Sequence, residues 1–507
     1  MISFRKKRDW SAGRCGWLGF EGANHVMRLG QLLALVCVLA ILPASALAAT
    51  DVKGDRLKIG KNPVLSGEWA TIAGGMRNSA TGFISVVSGG TNNFNGGKEA
   101  VIAGGRDNYI ESAKHTVIGG GHNNAILTSM AEHATIGGGE RITNNAMWAT
   151  IAGGFVNLIT ENGESSTIGG GFSNIVDSEY AFIGGGTSNL LRDNYGVIAG
   201  GWGNIDLGYY GVISGGAYNF ITNNNIGDSG DGAFIGGGSW NTNAGGWGFI
   251  GSGSEGYISG QFHVIVGGIR NKIFDGASAT IGGGERNQAS SPLGGNVIGG
   301  GIENLNFGLT GGTIAGGEVN AVTVDSFWGS IGGGYENSVT NGIGGVVAGG
   351  SGNLASADYA TVPGGTGAHA RQFGQMAHSA GEFVHVGDAQ ASQYVLRRTT
   401  SNSATNELFL DGGSMRLMIP AGGTWTFDVQ VVARSGNNSA GFRFEGVVEN
   451  VSGVASLLAA NRTVLARDVG TWEANLSAIN NALVIQVNGD STPVRWVATV
   501  RTTEVQN

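Results

Sequence analysis

Thr280-Ile281-Gly282-Gly283-Gly284-Glu285-Arg286-Asn287 is the stretch that decides how this chain folds. It runs from an aliphatic anchor through a small residue, Gly-Gly and two variable residues to Asn. The same plan appears in Thr71-Ile72-Ala73-Gly74-Gly75 with Asn78, and in Val101-Ile102-Ala103-Gly104-Gly105 with Asn108. Nineteen anchors follow one another from Ile72 to Val362, and all but Ile136, Ile250 and Val362 have Asn six residues on. Nine of the eighteen spacings are fifteen residues, none is shorter and the longest is twenty-two, with the excess always after the Asn. A fixed minimum with excess at one place is the signature of a solenoid whose insertions leave by one edge. Fifteen residues hold two short strands and two tight turns. At about 4.8 Å per rung, nineteen coils make a rod of roughly 90 Å.

Composition agrees. The 507 residues include 95 Gly but only 6 Pro, with no Gly-X-Y period, which excludes collagen. Charged residues are 13% and hydrophobic residues 41%, the reverse of a disordered chain. The Gly-Gly pair suits a turn that needs φ > 0 and close backbone approach. Asn tolerates the same conformations, and stacked Asn side chains can bond along the axis as a ladder.

The residue before each anchor faces the other side of its strand, so with the anchors inside this row faces out. It includes Val101, Val117, Phe182, Val197, Val212, Phe234, Phe249, Val264 and Val297, and none of its nineteen members is charged. A stripe this long exceeds what a soluble monomer normally exposes. Identical rods around a threefold axis are the natural covering. A broad, partly solvated sheet face is the plainer reading, and an ice-binding Thr array is a third, weakened by the Phe residues in the row.

The first 48 residues read as an export signal. Arg5, Lys6, Lys7 and Arg8 precede the apolar run Leu32–Leu42, and Ala46-Leu47-Ala48 is a small-residue cleavage site. The start is either Met1 or Met27. Both cysteines, Cys15 and Cys37, lie in this leader, so the mature chain carries no disulfide. Losing a leader of net charge +4 takes the whole from −8 to −12. An acidic chain is a poor partner for nucleic acid, and no later stretch is long enough to span a membrane.

The small-Thr-Ile-Gly-Gly-Gly-x-x-Asn repeat resembles the head repeats of trimeric autotransporter adhesins over about residues 66–386. That resemblance implies a left-handed parallel β-roll, a homotrimer and a role in surface attachment. The chain departs from the family in having no long heptad stalk. It ends Thr503-Glu504-Val505-Gln506-Asn507 rather than in membrane-barrel strands.

After Gly387 the glycine density drops, to ten in the last 120 residues against eighty in residues 49–387. About eight alternating segments, among them Trp425–Val432 and Val494–Val500, predict a C-terminal β-sandwich, jelly-roll-like. Tyr394-Val395-Leu396-Arg397-Arg398 and Val494-Arg495-Trp496-Val497-Ala498 resemble distal β-domains of phage tail-fibre-like proteins, which implies a trimeric fibre tip or receptor-binding domain. The organisation expected is all-β: signal peptide 1–48, cap 49–68, solenoid 69–372, neck 373–387 and sandwich 388–507.

Catalytic motifs are missing. No nucleophile elbow, His-Glu-x-x-His or phosphate loop occurs, and Gly251–Gly256 matches a dinucleotide fingerprint without a helix to follow it. The histidines have no metal-ligand pairing, and Asp228 and Asp231 lack a calcium repeat. No cofactor or metal is expected, and the chain is read as a non-enzyme. Trp148, Trp202, Tyr209, Tyr210, Trp240, Trp247 and Trp328 lie in or beside the insertions. They either stack on sugar rings or a protein partner, or pack their own loops down. The reading is a secreted or cell-surface trimeric fibre, adhesive or structural, with a protein or glycan ligand. The alternative is a receptor- or glycan-binding tail-fibre-like protein. A solenoid polysaccharide-cleaving enzyme comes third.

Overall fold

A computed structural model describes residues 51–53, 56–222 and 231–507. The leader with both cysteines, and Asp228 in the long insertion, lie outside the described residues. The described chain is all β: a parallel solenoid followed by two antiparallel sheets around a second core.

Each coil contributes one short strand to each of two parallel sheets. Thr71–Ile72 pairs with Val86–Val87, and Ser79–Ala80 with Phe94–Asn95, and this register repeats coil by coil. Every anchor from Ile72 to Val362 is buried. Opposite them, eight residues on, stand Ile110, Ile126, Ile159, Val176 and their equivalents, also buried. The interior is thus two facing columns of aliphatic side chains, one layer per coil. The anchored strands form one face of the rod, here face A, and the second strands form face B. Residues 56–68, read as part of a cap, form a further coil, with Lys58 in register with Ile72 and Val64 with Ser79. An antiparallel hairpin, Asp51–Lys53 with Arg56–Lys58, closes that end.

In the pair Gly185-Gly186 only the second glycine is conformationally required. Gly186 has φ +91°, and a Cβ there would lie 2.2 Å from the Gly201 carbonyl oxygen, whereas a Cβ on Gly185 meets nothing. Asn is not the left-handed residue, contrary to expectation. That conformation falls one position earlier, at Arg77, Asn92 and Asp107 (φ 57–60°), which frees the buried Asn side chain for the ladder. Asn189 Nδ2 donates to the carbonyls of Gly185 (3.0 Å) and Gly201 (3.2 Å), and its Oδ1 accepts the Asn204 N–H (3.1 Å). Turn carbonyls inside the rod thereby find partners that the strands cannot give. At Ile142, Gly256 and Ala368 the side-chain ladder lapses, yet each backbone N–H still donates to the preceding Asn Oδ1 at 2.9–3.0 Å.

At the far end Met376–Ala380 pairs in parallel with the last coils and antiparallel with Ala389–Thr400. The solenoid sheet therefore runs without a break into the C-terminal sheet. That sheet continues through Val494–Gln506, Gly423–Ser435 and Asn438–Val451 to Val454–Arg467. A smaller sheet, centred on Ala482–Asn488 and flanked by Glu473–Ile479, packs over it. Trp425, Trp472, Trp496, Tyr394 and Phe442 fill the space between. Where rod and domain meet, buried Glu504 accepts from Gln390 Nε2 (2.9 Å), Tyr394 Oη (3.0 Å) and Thr502 Oγ1 (2.5 Å). Burial and the Glu504 carboxylate hold the Tyr394 phenol well above its ordinary range.

Candidate interaction surfaces

Face A presents two outward columns. The first is the row before the anchors. Val101, Val197, Val212, Phe234 and Val264 are half-buried by their neighbours along the row, and Val117, Phe182, Phe249 and Val297 are exposed. The second column, just after the anchors, is Gly, Ala or Ser in all but Val266 and Pro363. Neither column contains a charge, and the second is nearly free of side chains. A flat, uncharged strip of this kind lets another backbone come close.

Face B carries a feature that the sequence reading did not single out. Leu158, Ile175, Leu190, Ile205 and Phe220 lie in successive coils, pointing outward one step before the buried column. The signal was present seven residues after each anchor. It is interrupted elsewhere by Ser, Thr and Lys272, and charged Asp177 and Arg192 flank it.

The seven singled-out aromatics do not share one edge. Trp148, Tyr210, Trp247 and Trp328 have positive φ in the turn that leads into face A, with Tyr209 beside them. Trp202 and Trp240 project from the Gly-Gly edge instead, because they precede the ladder Asn while insertions follow it. Most rings lie against another ring or a glycine of the preceding coil. Tyr195 stacks on Tyr180 and on Tyr210 at 5.0 Å each, and Tyr218 lies 4.4 Å from Trp240 and 4.9 Å from Trp202. Trp148 stacks on His133 at 6.3 Å, and His133 on His115 at 4.8 Å. Trp247 leans over Gly232 and Trp328 over Gly311, where any Cβ would lie within 2.6 Å of the indole. The rings thus stack along the turns, while Trp148, Trp202, Trp240, Trp247 and Trp328 remain more than half exposed. Many ring faces that a sugar would use are taken, and the edges remain exposed.

Titratable groups are few inside the rod. Among the described residues no group of three or more His, Cys, Asp and Glu is placed to hold a metal ion. Asp206 occupies an inward position in the second strand, where Asn95, Asn144, Asn243 and Asn306 sit in other coils. Burial raises its carboxyl from an ordinary 3.8 to about 7. Its Oδ1 accepts the Gly208 N–H at 3.0 Å, and Oδ2 has no partner. His263, also buried, accepts the Ala279 N–H at Nδ1 (3.0 Å), and burial lowers it to about 4. No helix long and apolar enough to cross a membrane occurs among the described residues.

No protein-family profile and no curated protein matches the sequence. Among solved structures, the chain is similar to a tailspike protein from Acinetobacter baumannii bacteriophage Fri1, described as a capsular polysaccharide depolymerase. The identity is 7% and the TM-score 0.20, over 87% of this chain and 80% of that one. The tailspike protein of Acinetobacter phage vB_ApiP_P1 is similar at 9% identity and a TM-score of 0.15, over 89% and 81%. Neither is an autotransporter head. One expectation is corrected here: the chain was read as a non-enzyme, and one of these similar chains is a depolymerase.

Proposed function

We propose that this chain is an extracellular fibre protein. In this reading three copies pack around an axis parallel to the rod, and the fibre serves in adhesion or as a structural element of a surface. The observation that carries the proposal is face A, uncharged over nineteen consecutive coils and made of β-branched, Phe and very small residues. Rotation about an axis parallel to the rod keeps every coil level with its copies, so the whole strip is covered at once. The head-repeat resemblance supports three as the number of copies, and the leader supports export. The alternative, a receptor- or glycan-binding fibre of the tail-fibre kind, uses the same rod and differs in its ligand.

The test is the combined substitution Val197→Lys, Val212→Lys and Val264→Lys. These side chains are half-buried within the single rod, so each Lys can extend its ammonium into water in a monomer. Against a partner sheet the same three charges would be desolvated and unpaired, at several kcal/mol each. The triple variant should fold and lose the assembly seen by light scattering. An assembly unchanged in mass would refute face A as the interface.

A further inference from the structure

The outer face of the C-terminal sheet gathers cations that the chain itself does not pair. All nine basic residues of 388–507 are Arg, and none is Lys. Four of them pair with acids: Arg416 with Glu407, Arg443 with Asp428 and Glu445, and Arg462 and Arg467 with Glu473. Arg501 stands opposite Asp428 in register. Arg397, Arg434 and Arg495 are different. They alternate with buried Leu396, Ala433 and Trp496, so all three point outward, and all three are exposed. Arg434 lies directly opposite Arg495, and Arg397 is diagonal to Arg495 through its pairing with Val497.

Like charges directly opposite one another on a sheet work against folding, and nothing in the chain offsets them here. Among the described residues none of the three forms an ion pair. Arg397 donates to the Asp411 carbonyl (3.0 Å) and Arg434 to Ser439 Oγ (3.2 Å). The acids that border this corner are engaged elsewhere. The Asp411 carboxylate accepts the N–H groups of Gly413, Ser414 and Met415, and Asp468 accepts that of Ser439. Asp490 accepts the Thr492 N–H and the Trp472 indole. The corner also stands clear of the strip assigned to self-assembly. The outward row of face A continues through Thr361, Met376, Gln393, Arg501 and Asp428, each in register with the one before. The three arginines lie four to six residues further along their strands, about 13–20 Å to one side.

We propose that Arg397, Arg434 and Arg495 form a binding site for an acidic, carboxylate-bearing polysaccharide. A guanidinium forks onto a carboxylate through two parallel bonds, whereas Lys offers only a point charge, so the exclusive use of Arg fits this ligand. Thr399, Val432 and Val497 between the arginines are short, and leave a flat bed suited to an extended chain rather than to the buried anchors of a folded partner. No aromatic residue stands among the outward positions of these three strands. Single-stranded nucleic acid, whose bases need stacking partners, is the poorer match. Carboxylates on neighbouring sugars would neutralise the opposed Arg434 and Arg495 together. The proposal rests on the glycan-binding reading given above as the alternative, and names the ligand's chemistry and its site.

The test titrates a defined oligogalacturonate into the full chain by calorimetry, with its methyl ester as the uncharged form of the same backbone. The wild type should bind the acid form, more weakly as salt rises, and leave the ester unbound. The variant Arg397→Gln with Arg434→Gln and Arg495→Gln should lose about tenfold or more in affinity. It should melt no lower than the wild type, because it removes a like-charge pair. Arg443→Gln, on the same face but paired with Asp428, should lose less than about threefold. Unchanged affinity in the triple variant, or equal binding of ester and acid, would overturn the arginine corner and leave a glycan-binding fibre standing. Equal losses in Arg443→Gln and the triple variant would overturn it in favour of overall charge. A wild type that binds neither form would overturn both the corner and the glycan-binding reading. Tighter binding of a single-stranded oligonucleotide would put nucleic acid in place of the glycan.

Discussion

Asp206→Asn should stabilise the middle of the rod far more at neutral pH than in acid. The equivalent Asn95 donates from Nδ2 to the carbonyls of Val86 (3.1 Å) and Ala100 (2.8 Å), and its Oδ1 accepts the Gly97 N–H. Asp206 keeps only the last of these bonds, from Gly208, and by register its Oδ2 faces the carbonyls of Val197 and Gly211. An ionised oxygen cannot donate to them, and a protonated one donates to only one of the two. Burial makes the folded state hold its proton more tightly than the unfolded chain, from an ordinary 3.8 up to about 7. Between these values the folded state binds more protons, so stability is complete below about pH 4 and falls as pH rises through 7. Three units at 1.36 kcal/mol each set the loss at about 4 kcal/mol. Solenoids open locally, so the assay is hydrogen exchange of the Val197–Ile213 amides at pH 4.5 and 8, corrected for intrinsic rates. Taking the ratio of variant to wild type cancels the opposite slope from His263, whose contribution is lost as pH falls from 6.5 through about 4. The variant should be more protected by about 1 kcal/mol at pH 4.5 and by up to about 4 kcal/mol at pH 8. An identical ratio at both pH values would refute the reasoning.

Other consequences follow from the same geometry. Asn189→Ala removes two bonds to turn carbonyls and should cost about 1–3 kcal/mol, read as a drop in local protection around Gly185–Gly201. Gly185→Ala should be tolerated and Gly186→Ala strongly destabilising, because only the latter meets a backbone oxygen at 2.2 Å and sits at φ +91°; equal melting shifts for the two would contradict this. Glu504→Ala takes from the buried Tyr394 hydroxyl its carboxylate acceptor and from Gln390 Nε2 one of three, the His369 carbonyl and Ser392 Oγ remaining, and should loosen the junction between rod and domain. Proteolysis between residues 381 and 388 should accelerate in that variant, and unchanged cleavage would count against a clamp there.

Periodicity was the legible part. Ile72 and Val87 announce their own burial because a fixed spacing on a strand admits one inward face, and the uncharged neighbours of those anchors follow from the same alternation. Finer placement was hidden because it depends on which backbone positions take φ > 0. Arg77 and Trp240 occupy left-handed turns that composition assigns to Gly or Asn, and they do so because the adjoining Asn is held by the ladder. In the sequence Trp202 stands beside an insertion, although it lies on the other side of the Asn that divides the edges. Asp206 carries no local mark that separates a buried acid from a solvated one. The meeting of Arg397, Arg434 and Arg495 on one face depends on strand order, which alternation alone does not specify.

Face A is the centre of this account, and the solution mass of the purified chain tests it most directly. Light scattering during size-exclusion chromatography should give three times the mass of one chain, unchanged by moderate salt because the proposed contact contains no ion pairs. A mass of one chain across the same range would leave nineteen coils of uncharged surface open to water, and would contradict the account.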